Sequence, residues 1–258
     1  MKIHINSEDR ADNETAEDFN INLSSINGRR TGVQTFMIGS VQLPLTFYQI
    51  RNNYNNSFTF TFDNGSSKTV YVGGTIGNTT EGSPSASIMA TNIQGQININ
   101  TSSQVFSVSV NTSTGRLTIT KTSGANVFSI TFNRDPYTYK VLGMTNNVQN
   151  SSVSGVIEGT NVVNMTMTDS IYIKSNVNYT NGDDWDSFNK SSNNYICKIP
   201  ITQQGVSAFS NLYYTNEDLE ERTIDRLTGH LNFQLVYHDG SRVNLNGHDY
   251  SMTLIYKY

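Results

Sequence analysis

The chain has 258 residues, of which 15% are charged: 17 Lys and Arg stand against 21 Asp and Glu, for a formal net charge of −4. Asn, Ser and Thr together supply 91 residues, about as many as the 36% that is apolar. That balance excludes helical bundles and coiled coils, which draw on Ala, Glu, Lys and Leu, and 14 Tyr with 12 Phe exclude charge-driven disorder. A β-rich globular chain remains, because Thr, Tyr, Val and Ile suit pleated strands while Asn, Ser and Gly suit turns.

In chain order, His4 alternates with Ile3 and Ile5 on a first strand, and Phe19, Ile21 and Leu23 alternate with Asn20 and Asn22. A strand follows over 34–43, ended by Pro44, which has no N–H for a ladder and biases Leu43 towards extended backbone. Phe58, Phe60 and Phe62 alternate with Thr59 and Thr61. Ser85 to Asn98 reads as a short helix carrying Ile88, Met89 and Ile93. Phe106, Val108 and Val110, then Leu117 and Ile119, predict a hairpin with a five-residue loop over Asn111–Gly115. After a strand at 127–132, Pro136 to Met144 reads as a second short helix with Gly143 at its exit. Further strands are predicted at 169–177, 195–199, 231–237 and 250–257, the last with Met252, Leu254 and Tyr256 on one face. Asp239-Gly240 predicts a type I′ turn, and Asn246-Gly247 a similar one. Each pattern turns one apolar face inward and one Thr/Ser/Asn face outward, as half-buried antiparallel sheets require. No linker and no fixed-period repeat divides the chain, so one domain is expected over 1–258, with an elaborated loop region at 63–100.

Little in the sequence asks for catalysis. Cys197 is the single cysteine, so no intramolecular disulfide is possible. His230, His238 and His248 match no compact metal-ligand spacing, and His238 reads as a solvent-exposed residue beside a turn. Gly73-Gly74-Thr75-Ile76-Gly77 lacks the Lys-Ser/Thr ending of a phosphate loop. The Asn-x-Ser/Thr triplets at Asn55, Asn64, Asn78, Asn111 and Asn178 are frequent enough at this composition to arise by chance. No stretch reaches the roughly 18–20 apolar residues of a membrane helix, residues 1–30 carry no signal-peptide pattern, and no basic arm favours nucleic acid.

The acidic residues are unevenly placed. Glu8, Asp9, Asp12, Glu14, Glu17 and Asp18 form one cluster; Glu217, Asp218, Glu220, Glu221 and Asp225 form another, interleaved with Arg222 and Arg226. A solvated edge, a cation site and a charged contact surface between subunits are all compatible with them, the solvated edge being the simplest. Asp183-Asp184-Trp185-Asp186 lacks the spacing of an EF-hand loop. An aromatic share of 10% beside many Asn and Thr suits carbohydrate binding, although a single Trp weakens that reading.

Several segments resemble the penton, or minor capsid, proteins of virophages and nucleocytoplasmic large DNA viruses. They are Ser7-Glu8-Asp9-Arg10 with Asp18-Phe19-Asn20-Ile21-Asn22-Leu23, Ile38 to Ile50 around Leu43-Pro44, Tyr139 to Met144, Asp169 to Val177, Cys197 to Ile201, Asp225-Arg226-Leu227, Asp239-Gly240, and Leu245 to Leu254. They run in order across nearly the whole chain. Gln49, Met144 and the Gly-rich 73–83 loop depart from the family pattern. The resemblance implies an all-β fold, a single jelly-roll antiparallel β-sandwich with one or two short helices in loops. It also implies a non-enzymatic virion protein without cofactor or metal, made in host cytoplasm and placed as a homopentamer at icosahedral vertices beside major capsid protein capsomers. Candidate subunit-interface residues are Glu8, Asp9, Arg10, Glu217, Asp218, Arg222 and Arg226. The alternative is a virion attachment, fibre-type or carbohydrate-binding jelly-roll module.

Overall fold

The computed structural model describes residues 2–22, 34–74, 81–99, 105–123, 127–151, 155–176, 195–201, 211–215, 222–224 and 230–257. The chain divides into two compact units, one of residues 1–47 with 168–258 and one of residues 48–167. The sequence pattern marks no boundary at either junction.

The first unit begins with β1 (Lys2–Asn6), a 3-10 turn (Ser7–Asp9), β2 (Asp18–Asn22) and β3 (Gln34–Pro44). The second unit then supplies β4 (Ser57–Thr61), β5 (Ser67–Tyr71), α1 (Ala86–Asn98), β6 (Phe106–Val110), β7 (Leu117–Lys121), β8 (Ser129–Thr131), α2 (Thr138–Val141), β9 (Gln149–Asn150) and β10 (Val156–Glu158). The first unit resumes with β11 (Ser170–Ser175), β12 (Tyr195–Pro200), β13 (Asn211–Thr215), β14 (Arg222–Ile224), β15 (His230–Val236) and β16 (Ser251–Lys257).

In the first unit one antiparallel sheet has the order β1-β16-β3-β13, with β14 also on β3, and the other β12-β11-β15-β2. Setting the short β14 aside, eight strands divide between two four-stranded sheets in the order 1-8-3-6 and 5-4-7-2, the double Greek key of a jelly roll. The expected all-β jelly roll is therefore present. Alternation drives it: Phe19, Phe233, Leu254 and Leu231 from the two sheets fall in one buried cluster, while the residues on either side of each along the strand are half-buried or exposed. Met252, Leu254 and Tyr256 share the buried face of β16, as their spacing predicts.

The second unit holds a three-stranded sheet, β10-β7-β6, and a four-stranded one, β5-β4-β8-β9. Its core is aromatic: Phe60 stacks on Phe128 at 5.3 Å between centroids and meets Phe106 edge-on at 5.1 Å. Ser85 caps α1 through its side chain, and Met89 and Ile93 are buried, but Ile88 is exposed. The predicted hairpin of β6 and β7 forms, its ladder closing at Asn111 N–H to Arg116 O, with Arg116 added to the expected Asn111–Gly115 connection. The second helix is shorter than 136–144. It ends at Val141 with Leu142 as its cap, and the chain leaves through Gly143, whose φ of +68° no side chain adopts easily; a Cβ there would lie 2.3 Å from Asn161 O.

One turn differs from expectation. At Asp239-Gly240 only Gly240 has positive φ, so the type I′ geometry, which needs two such residues, is absent. Asn246 (+54°) and Gly247 (+81°) both have positive φ, and that turn is closed by His248 N–H to Leu245 O. The Asp239 carboxylate instead accepts from the backbone N–H and hydroxyl of Ser241, stabilising a different turn.

Candidate functional site

The 3-10 turn after β1 is pinned to the approach to β16. Ser7 is fully buried; its N–H donates to Tyr250 O, its hydroxyl donates to Asp249 Oδ1 at 2.9 Å, and it accepts from Tyr250 N–H. Arg10 closes the clasp, donating to Ser7 O and Glu14 O and pairing with Asp249. The family-like opening and closing segments are thus brought together by an intramolecular network.

The first acidic cluster splits by role. The Glu14 carboxylate accepts from the side chain and backbone of Asn20 and from Ala11 N–H, and the Asn20 side chain above all holds it below the ordinary carboxylate range. Glu17 accepts from Leu245 N–H. Asp18 accepts from Asn232 and Gln234 and pairs with Arg242 at 2.6 Å. Glu17 and Asp18 tie β2 and the residue before it to the 230–245 region, whereas Glu14 braces the chain within residues 11–20. Glu8, Asp9 and Asp12 are exposed. The Tyr250 hydroxyl is buried without a hydrogen-bond partner, and burial, then the Glu17 and Asp18 charges, pushes its pKa well above the usual tyrosine value.

The outer face of the β1-β16-β3-β13 sheet carries a concavity of about 460 Å³. Two cross-strand rows pave it, Asn6–Ser251–Gln42–Tyr213 and His4–Thr253–Ser40–Thr215. Tyr213 is 71% exposed, the most exposed large apolar side chain among the described residues, and its hydroxyl accepts from Gln42 Nε2 at 3.2 Å. His4 Nδ1 lies 3.1 Å from the Thr253 hydroxyl. Asp9 borders this concavity, and a second one of about 290 Å³ shares Asn6, Gln42 and Ser251 with it and extends to Glu8, Pro44 and Asn211.

Of the predicted interface residues, Glu8 and Asp9 stand exposed on the turn, and Arg10 is engaged in the clasp. Arg222 has its backbone on β14, opposite Phe36 of β3. Glu217, Asp218 and Arg226 lie outside the described residues, as do Trp185 and its acidic neighbours. His230, His238 and His248 are exposed, and among the described residues no three His, Cys, Asp or Glu side chains gather as metal ligands. Cys197 is buried and unbridged. No helix among the described residues is long and apolar enough to cross a membrane. Tyr213 and Gln42 escaped the sequence reading as a site, because Asn211–Thr215 buries Leu212 and leaves its other side chains exposed or partly so, giving little alternation.

The strand order defines the class first: an eight-stranded jelly roll with a second β-rich unit between its third and fourth strands. Among solved structures, the mavirus penton protein shares this fold, with a TM-score of 0.54 and 10% identity over 100% of this chain and 99% of that one. The Sputnik virophage structure solved by electron cryo-microscopy contains a chain with a TM-score of 0.41 and 11% identity over the same shares. No protein-family model and no curated protein matches the sequence.

Proposed function

We propose that the chain is a virion structural protein, the pentameric vertex capsomer of an icosahedral virus, acting by self-association and by contact with neighbouring major capsid proteins rather than by catalysis. The observation that carries this reading is the end-to-end superposition on the mavirus penton protein. It takes in the inserted unit as well as the jelly roll, whereas a shared sandwich alone would match only part of the chain. The ordered resemblance of the opening, Leu43-Pro44 and closing segments supports it independently.

Five copies closing a ring need heterologous side-to-side contacts. The exposed carboxylates Glu8 and Asp9, facing Arg222 and Arg226 of the next copy, are the proposed charged contact, with Glu217 and Asp218 beside them. Arg10 contributes indirectly, by holding the turn that presents Glu8 and Asp9. Assembly in host cytoplasm fits a chain whose lone cysteine forms no disulfide.

Native mass spectrometry and light scattering at moderate salt are expected to find five copies. A persistently monomeric or trimeric protein at high concentration refutes the pentamer. Arg222→Glu with Arg226→Glu is expected to weaken the ring, and unchanged assembly refutes this contact.

A further inference from the structure

We propose that the outer face of the β1-β16-β3-β13 sheet is a binding site for an uncharged oligosaccharide, with Tyr213 as its stacking platform. The inference stands on the groove and does not depend on the pentamer.

Its dimensions follow from the sheet. Four strands at about 4.8 Å spacing make a floor about 14 Å across, and two rows of outward side chains lie about 7 Å apart along it. Two linked pyranose rings fit on such a floor. The second concavity continues the groove beyond Asn6, Gln42 and Ser251, giving room for a further ring.

The chemistry is that of hydroxyl recognition. Sugars present vicinal hydroxyls, which pair with side chains able to donate and accept together, and C–H faces, which stack on aromatic rings. The rows supply the carboxamides of Asn6 and Gln42, the hydroxyls of Ser40, Ser251, Thr215 and Thr253, the His4 ring, and one exposed phenol ring. The Gln42 to Tyr213 hydrogen bond holds the ring in place before any ligand arrives. Preorganisation on strands rather than loops reduces the ordering cost of binding.

Charge narrows the ligand. Among the described residues neither concavity is lined by Lys or Arg, while Asp9 borders the first and Glu8 the second; Asp249, also on the second, is already paired with Arg10. Sialylated, sulfated and phosphorylated ligands meet carboxylates there, whereas neutral hexoses gain acceptors for their hydroxyls. A flat apolar partner is disfavoured, since a polar side chain occupies nearly every position of the two rows.

The test is a glycan array of neutral and sialylated oligosaccharides probed with the full chain. It is followed by calorimetric titration of lactose, maltose, cellobiose and chitobiose against protomer and assembled protein. Neutral glycans are expected to bind, with affinity for the best of them falling about tenfold or more in Tyr213→Ala and staying within about threefold in Tyr213→Phe. Because Tyr213 is exposed, neither change is expected to alter the unfolding midpoint, which serves as the folding control. Absence of neutral-glycan binding, preference for sialylated glycans, or unchanged affinity in Tyr213→Ala each overturns the proposal. So does a Tyr213→Ala variant that changes only the number of copies, since the face then belongs to a subunit contact. Loss of the pentamer with glycan binding intact refutes the vertex reading and leaves this one standing.

Discussion

The two units solve the same problem, pairing the polar groups that folding takes out of water, by different means. In the jelly roll, strands of up to eleven residues carry most backbone groups in their ladders, and polar side chains gather at its margins, as in the Ser7–Arg10–Asp249 clasp. In the second unit the strands run from two to five residues, and side chains finish what the short ladders leave open. Helix α1 runs beside two sheet edges. The Gln96 carboxamide both accepts from and donates to the Tyr71 backbone on β5, Asn98 does the same for Phe106 on β6, and Gln94 accepts from Val108 N–H. Lys121 and Asp63 form a buried ion pair at 3.0 Å, with side chains 2% and 12% exposed. Short strands make a fold that depends on individual polar side chains, and long strands one that depends on pattern.

That contrast predicts where substitutions are costly. Lys121→Ala leaves a carboxylate largely buried without its cation and is expected to destabilise the second unit by about 4 kcal/mol. The pair Lys121→Met with Asp63→Leu is expected to recover most of it, because well-packed apolar residues replace such pairs with little loss. Denaturant unfolding with hydrogen exchange resolved by unit checks both. Gly143→Ala, forced against Asn161 O at positive φ, is expected to cost about 3 kcal/mol in the same assay. Gln96→Leu strips both partners from the Tyr71 backbone and is expected to cost about 2 kcal/mol, with faster exchange at Tyr71 N–H.

The smallest effect lies in the jelly roll. Tyr250→Phe removes a buried hydroxyl that has no partner and is expected to change stability by less than about 1 kcal/mol. It also isolates a pH effect. Burial raises the folded pKa of Tyr250, so the unfolded chain loses its proton first; the contribution is full below about pH 10 and falls as pH rises past it. Tyr250→Phe is expected to flatten the alkaline limb of a stability–pH curve. Glu14 works in the opposite sense: its folded pKa is depressed, so its contribution is present at neutral pH and is lost as pH falls through that lowered value.

Alternation made the strands of the jelly roll legible, from Phe19–Ile21 to Met252–Tyr256, because each buries every second residue. It could not reveal β13 or β10, where one buried residue per strand leaves too few positions to establish a period. Nor could it show that 48–167 forms a unit of its own, since the pairing of β3 with β16 is a long-range choice that no local window contains. The turn at Asp239-Gly240 misled because the dipeptide permits type I′ geometry without requiring it. Resemblance picked out Ser7, Arg10 and Asp249 from opposite ends of the chain. What it could not supply was their relation: the serine and the arginine both hold the same aspartate. The groove was hidden for a further reason, since it is built from outward residues of four strands that are neighbours only after folding.

The place of β16 between β1 and β3 orders events in time. A ribosome releases residues 48–167 well before Ser251–Lys257, so the second unit has all its strands while the first sheet still lacks an inner member. Until then β1 and β3 present unpaired edges to whatever is nearby. Losing a few residues after Asp249 would therefore split that sheet through its interior, where trimming an outer strand would only narrow it.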